Sequence, residues 1–246
     1  MGLTLKYTVK ESHRARHVRL RLSLRDGLVI VVPAGFDPRL LPALLEQKQR
    51  WIDRAWERLK SSSKPAPPEA EGKLPASLNL LAIGEEWTVE YKRTTSRSVI
   101  AREKAGRLLL LSGKTGDRQA CLAALRRWLM RKAHGHLEPW LLRLAREGSF
   151  DCKRVLVKSQ RTRWASCSAA KTISLNLKLL FVPPEWARYA LLHELCHTVH
   201  LNHSARFWAL LENHYPHCKK TAKALRSGWR YVPPVLDERP RRRRAR

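Results

Sequence analysis

Apolar and polar residues alternate in two stretches of the N-terminal half, and each stretch leads into a helix-like pattern. Val18, Leu20, Leu22 and Leu24 alternate with Arg19, Arg21 and Ser23. An apolar run, Leu28 to Val32, follows across Arg25-Asp26-Gly27. Alternation before an Asp-Gly pair and an apolar run after it predict a β-hairpin, and a helix with Trp51 is expected over roughly Pro38 to Lys60. A second copy runs through Trp87–Tyr91, Ser98–Ala101 and Leu108–Leu111 to a helix from Asp117 that contains Trp128. Gly27 and Gly106 are 79 apart and Trp51 and Trp128 are 77 apart, which suggests two β-β-α units; chance likeness of two amphipathic units is the competing reading. Gly135 and Pro139 are expected to break the helix of residues 117–147 into two. Ile173, Leu175, Leu177 and Leu179 alternate with Thr172, Ser174, Asn176 and Lys178, so a strand with one apolar face is predicted there. Pro184 suits a first helical turn, and Trp186, Ala190 and Leu191 form the apolar stripe of the helix that follows.

The fold class read from this pattern is α+β: an N-terminal β-rich module with helices, then a C-terminal domain of one strand beside a long apolar helix. The expected segments are a hairpin/helix unit at 1–60, a Pro/Ser-rich linker at 61–75 and a second β-rich unit at 76–116. A domain at 117–233 and a disordered arginine tail at 234–246 complete the division.

The densest chemistry falls on that apolar helix, at His193-Glu194-Leu195-Cys196-His197. Residues four apart share one face of a helix, so His193 and His197 can reach a single ion with Glu194 beside it to hold a water. A chain of this composition yields such a match by chance only roughly 0.02 times. The competing reading, two stacked surface histidines, is therefore the weaker one.

A third ligand comes from His200 or His203. His200 shares the face of the other two but lies about 10 Å along the axis from His193. His203 needs a chain that has left the helix. Asn202 can end it in a left-handed conformation, and Ser204 can cap a new helix over Ala205–Glu212, which favours His203. The offsets 193, 197 and 203 equal those of metzincin proteases, but that class has glycine where His200 stands and a methionine turn downstream. The methionines here, Met1 and Met130, are both upstream.

Several stretches together resemble the YgjP-like metallopeptidase family, itself similar to SprT-like and gluzincin-like zinc peptidases. They are Arg163-Trp164-Ala165-Ser166-Cys167-Ser168, Ile173-Ser174-Leu175-Asn176, Pro183, the His-Glu-x-x-His helix and Asn202–Trp208. The resemblance extends weakly to the N-terminal half and stops before the last dozen residues. It implies a zincin-like domain at 117–233, with one Zn2+ held by His193, His197 and His203 and with Glu194 as the catalytic acid/base. It also tilts the strand at Ile173 towards an edge that pairs with an extended substrate, so that Arg163, Trp164, Ser174 and Asn176 become candidate substrate-binding residues. Ala165 stands where the family usually has glycine, and would be strained if that position needed a positive φ. Arg163, His214 and Tyr215 are candidates for a second electrophile by closeness in sequence; packing or solvent is the competing reading for His214 and Tyr215.

Composition bounds the partners. No apolar run approaches the ~20 residues of a membrane span, and the first residues lack a secretory core. Five cysteines without a Cys-x-x-Cys pair fit reduced thiols and a cytoplasmic location, and Cys196 beside the motif is expected to be a packed thiol. The net charge is +28, and +22 without the six arginines of the tail. Such a chain attracts polyanions at low salt. Beside a peptide or protein substrate, a nucleic acid or nucleotide is therefore a candidate partner, although a solvated arginine face explains the charge equally well. Two enzyme classes remain: a zinc peptidase, and a metal-dependent nucleotide phosphohydrolase of the nucleoside triphosphate pyrophosphatase type. The chain has no Gly-rich phosphate loop, which weighs against the second. A basic binding protein with a structural zinc is a third reading, but it leaves Glu194 without a task.

Overall fold

The computed structural model describes residues 7–13, 15–23, 27–62 and 73–237. It is a mixed α+β protein with several sheets and five α-helices among the described residues, and its contacts divide the chain into two compact units, 1–66 and 67–246.

In the first unit, β1 (Tyr7–Ser12), β2 (Arg19–Ser23) and β3 (Gly27–Pro33) precede α1 (Leu41–Ser62). β3 is central, parallel to β1 and antiparallel to β2. The expected hairpin is present, pairing Leu20 with Ile30 and Leu22 with Leu28; the turn at Arg25-Asp26 lies outside the described residues. Period two sends Leu28, Ile30 and Val32 to one face, where they pack with Leu41 and Ile52 of α1. β1 went unread in the sequence because five of its six side chains are exposed; pairing with β3 makes it a strand.

The second unit opens with β4 (Ser77–Leu80), β5 (Glu85–Arg93), β6 (Val99–Lys104) and β7 (Leu108–Gly113), in the order β4-β5-β7-β6. β7 is parallel to β5 and antiparallel to β6, the arrangement β3 has with β1 and β2. The internal echo is thus one of topology as well as pattern. Helix α2 (Arg118–Glu147) follows, with Asp117 accepting the Ala120 N–H at its N-terminus.

The break expected at Gly135 and Pro139 does not occur: α2 is continuous through both. Proline's ring crowds the carbonyl four residues earlier, and that residue is Gly135, where a bare backbone has room to yield; nothing lies within 4 Å of its Cβ position. Buried residues from Cys121 to Ala145 fasten the helix on both sides of the proline.

A third sheet, β8 (Arg154–Lys158), β9 (Ala165–Cys167) and β10 (Thr172–Asn176), has the order β8-β10-β9. Helices α3 (Pro184–Cys196), α4 (Ala205–His214) and α5 (Cys218–Leu225) complete the unit. One buried cluster runs from Leu78 to Leu236, so residues 76–116 and 117–233 share a core. The expected tail begins later than 234: Val235 and Leu236 are buried, and Arg126 donates to the Leu236 carbonyl. Its arginines lie outside the described residues.

The strand read at Ile173–Leu179 also differs. It ends at Asn176 and passes into a 3-10 turn, Leu177–Phe181. It has no solvated face, because Ser174 and Asn176 are as buried as their apolar neighbours. Nor is it an edge: β10 pairs with β8 on one side and β9 on the other. The strand edge beside α3 belongs to β9, whose residues are half-buried.

Candidate metal centre

Helix α3 starts at Pro184, whose missing N–H costs nothing in a first turn, and carries Glu185 there, the sign that suits a helix N-terminus. Its buried stripe includes Ala187, Ala190, Leu191 and Leu195, which packs the helix into the core and fixes the face that His193 and Glu194 present. His197 is the C-terminal cap, still in the right-handed region. The chain then turns through exposed Leu201 and Asn202, and Ser204 caps α4 by accepting the Phe207 N–H.

That turn carries His203 back over the end of α3. One nitrogen from each of His193, His197 and His203 falls within 4.8 Å of the others. The Nε2 atoms of His193 and His203 are 3.1 Å apart. Phe207 forms the floor, fully buried, with its ring 4.5–5.0 Å from all three imidazoles. Trp208 leans on His203 at 5.8 Å.

His200 takes a different part. Its carbonyl oxygen lies 2.9 Å from His197 Nδ1. A carbonyl only accepts, so His197 carries its proton on Nδ1 and leaves the Nε2 lone pair for an ion. Tyr189 Oη stands 3.3 Å from His193 Nδ1 in the corresponding place.

Burial favours the neutral form of His193 and of His197. Burial pushes His193 down to about 3, helped by the neighbouring His197 and His203. Burial also lowers His197, against the upward pull of its bond to the His200 carbonyl. Glu194 is 8% exposed, and burial raises it to about 7. Two influences oppose that rise: a hydrogen bond from the Cys167 backbone N–H and the charge of Arg163. Cys167 itself is pushed up to about 11 by burial and by Glu194, which makes it an inert thiol.

The donor set fits zinc. Tetrahedral zinc with Zn–N of about 2.0–2.1 Å puts its nitrogens roughly 3.3 Å apart, close to the His193–His203 spacing. Three imidazoles, two of them with Nδ1 in a hydrogen bond, would hold zinc and leave it a fourth position for water.

The other candidates divide. Arg163 is exposed and acts on Glu194. Trp164 does not face the site: it stacks on Trp229 at 4.1 Å and gives its indole N–H to the Leu225 carbonyl. Asn176 is fully buried and occupied. It donates to the carbonyls of Gln160 and Arg163 at 2.9 and 2.7 Å and accepts from the Lys178 N–H, so it braces the loop before β9 and does not meet a ligand. Ser174 is buried in the central strand. His214 packs on Phe150, and the Tyr215 hydroxyl donates to the Glu185 carbonyl. Ala165 sits in regular strand pairing opposite Leu175 and has no positive φ, so alanine brings no strain there.

The sequence profile of the YgjP-like metallopeptidase domain matches residues 16–228. The chain belongs to the YgjP-like metallopeptidase family. A solved structure similar to part of it is the metallopeptidase zymogen abylysin of Pyrococcus abyssi, at 24% identity and a TM-score of 0.33; the match covers 37% of this chain and 92% of that one. None of the curated proteins matches. Family membership makes the protein a hydrolase of the metallopeptidase type. No described helix is long and apolar enough to cross a membrane.

The sequence reading missed Tyr189, the His200 carbonyl, Phe207 as the floor and the Cys167 N–H. Tyr189 left a trace, because it precedes His193 by four residues and so shares its helical face. The two backbone groups leave none.

Proposed function

We propose that this YgjP-like protein is a zinc-dependent peptidase with one ion held by His193, His197 and His203 and with Glu194 as general base. The observation that carries the reading is the convergence of three imidazoles at the end of the helix that also carries a buried carboxylate, Glu194. When bound, zinc lowers the pKa of water to about 7 and polarises the scissile carbonyl.

The remaining work belongs to the chain. Glu194, brought to about 7, accepts a proton from the attacking water and later delivers it to the leaving amine. The Cys167 N–H aims the carboxylate. Arg163 brings positive charge to the same spot and suits the substrate oxyanion or a substrate carboxylate.

The outer edge of β9 suits an extended substrate. Trp164 and Ser168 turn their backbone groups to β10, since Asn176 N–H donates to the Trp164 carbonyl and Ser168 N–H to the Thr172 carbonyl. By strand alternation Ala165 and Cys167 turn theirs outward. A peptide laid along that edge pairs with Ala165 and brings a carbonyl to Glu194. Five free cysteines, three of them buried, suit a reducing cytoplasm.

The test compares zinc-loaded protein on a casein-type peptide and on a nucleoside triphosphate, each beside Glu194→Gln. Peptide cleavage that vanishes in the variant, with zinc retained, is the expected result. Hydrolysis of the nucleotide without cleavage of the peptide would assign the metal centre to a phosphohydrolase instead.

A further inference from the structure

The metal centre has a feature that the ligand set does not explain. His197 and His193 are anchored at Nδ1 by groups of different kind. His197 faces the His200 carbonyl, a pure acceptor, which holds the ring in one tautomer. His193 faces the Tyr189 hydroxyl at 3.3 Å, which can accept or donate.

We propose that Tyr189 is the positioning residue of His193: its hydroxyl serves both tautomers of the imidazole, so that the ring receives a metal ion without moving. The inference rests on reading the three histidines as the metal centre.

The geometry supports both states. With the Tyr189 hydroxyl donating to Nδ1, His193 carries its proton on Nε2. That proton then points at His203 Nε2, 3.1 Å away, and closes a hydrogen-bonded chain of Tyr189, His193 and His203. With His193 Nδ1–H donating to the hydroxyl, Nε2 presents a lone pair to the ion. Both His193 nitrogens are satisfied either way, and the ring stays against Phe207, 5.0 Å away. A carbonyl in place of the hydroxyl would permit the second state alone.

Tyr189 is built to stay where it is. It is 5% exposed, and burial raises its phenol, so the group remains neutral. Its ring meets Tyr215 edge to face at 5.7 Å. Tyr215 is itself fixed, donating to the Glu185 carbonyl at 3.0 Å and receiving the Thr221 hydroxyl at 3.5 Å. Because Tyr189 lies on the Nδ1 side of His193, away from the converging nitrogens, it cannot touch a substrate and acts only through the imidazole.

The experiment is a zinc titration of the full chain against a competing chelator, for wild type, Tyr189→Phe and Tyr215→Phe. Phenylalanine keeps each ring and removes one hydroxyl. Groups that orient a metal-bound imidazole are worth about 10–100-fold in affinity, so Tyr189→Phe is expected to weaken zinc binding at least 10-fold. Tyr215→Phe, whose hydroxyl bonds elsewhere, should bind as wild type does. A second measurement needs no variant: nitrogen-15 spectra of wild type should show His193 protonated on Nε2 without metal and on Nδ1 with zinc. Unchanged affinity in Tyr189→Phe, or one His193 tautomer in both states, overturns the proposal and leaves the metal centre standing. Wild type that binds no zinc overturns both.

Discussion

The backbone N–H of Cys167 donates to the carboxylate of Glu194, so strand β9 holds the group that α3 carries. This bond crosses from sheet to helix and aims a side chain that is almost fully buried. A carboxylate there is poorly placed to meet solvent, and under the proposed function it would meet a metal-activated water.

Replacing Glu194 with Gln removes the base and keeps the shape. Zinc content should stay at one per chain, since the imidazoles are untouched. General-base catalysis contributes on the order of 100- to 10,000-fold, so kcat should fall by that range. Metal analysis and peptide hydrolysis on the same sample check the pair. Undiminished turnover would remove Glu194 from the chemistry.

The choice of third ligand gives an ordered prediction. His203→Ala deletes a nitrogen from the converging set, whereas His200→Ala keeps the backbone carbonyl that orients His197. Zinc affinity should drop on the order of 100-fold in the first variant and remain near wild type in the second. Dialysis against graded zinc, followed by metal analysis, separates them. The reverse ranking would move the ligand to His200.

Which parts of this site were legible in the sequence follows from how each is encoded. His193, Glu194 and His197 sit on one helix, whose periodicity puts them together. His203 required a turn, and Ser204, which caps the following helix, marked where it ends; Asn202 keeps a negative φ and is not the left-handed residue expected there. The N-terminal hairpin was readable because its first arm alternates and an Asp-Gly pair separates it from an apolar run. The role of β10 was not. Thr172, Ser174 and Asn176 look like a solvated face, but buried polar residues with satisfied hydrogen bonds give the same letters as exposed ones. Only the order β8-β10-β9 decides which strand is the edge, and strand order depends on pairings distant in sequence. Pro139 misled for a similar reason: its local preference is real, but the packed stripe of α2 overrides it.

Asn176 gives a prediction about architecture. Fully buried, it makes two donated bonds that fasten the loop leading into β9 and one accepted bond that caps the 3-10 turn after β10. Alanine would leave the Gln160 and Arg163 carbonyls short of a donor. The cost should be about 2–4 kcal/mol, read by urea unfolding. Because Arg163 and the β9 edge hang on this loop, KM for peptide should rise as well. A variant as stable as wild type would deny Asn176 its bracing role.

The metal-free protein should respond to pH in two opposing ways. His193 is held at about 3 when folded, against 6.5 as its ordinary value. Between those values the unfolded chain binds the extra proton, so acidification erodes stability. Glu194 stands at about 7 when folded, against 4.5 ordinarily. Here the folded chain binds the extra proton, so stability falls as pH rises from 4.5 through about 7. Glu194→Gln removes the second contribution and leaves the first. The metal-free variant should therefore gain on wild type with rising pH, by on the order of 3 kcal/mol between pH 4.5 and 8. Both proteins should still weaken in acid as His193 titrates in the unfolded chain. Urea unfolding of the two metal-free proteins at pH 4.5, 6 and 8 measures the difference. A gap that stays constant across that range would mean that burial does not set the protonation of Glu194, and the proposed base would have to be poised by zinc alone.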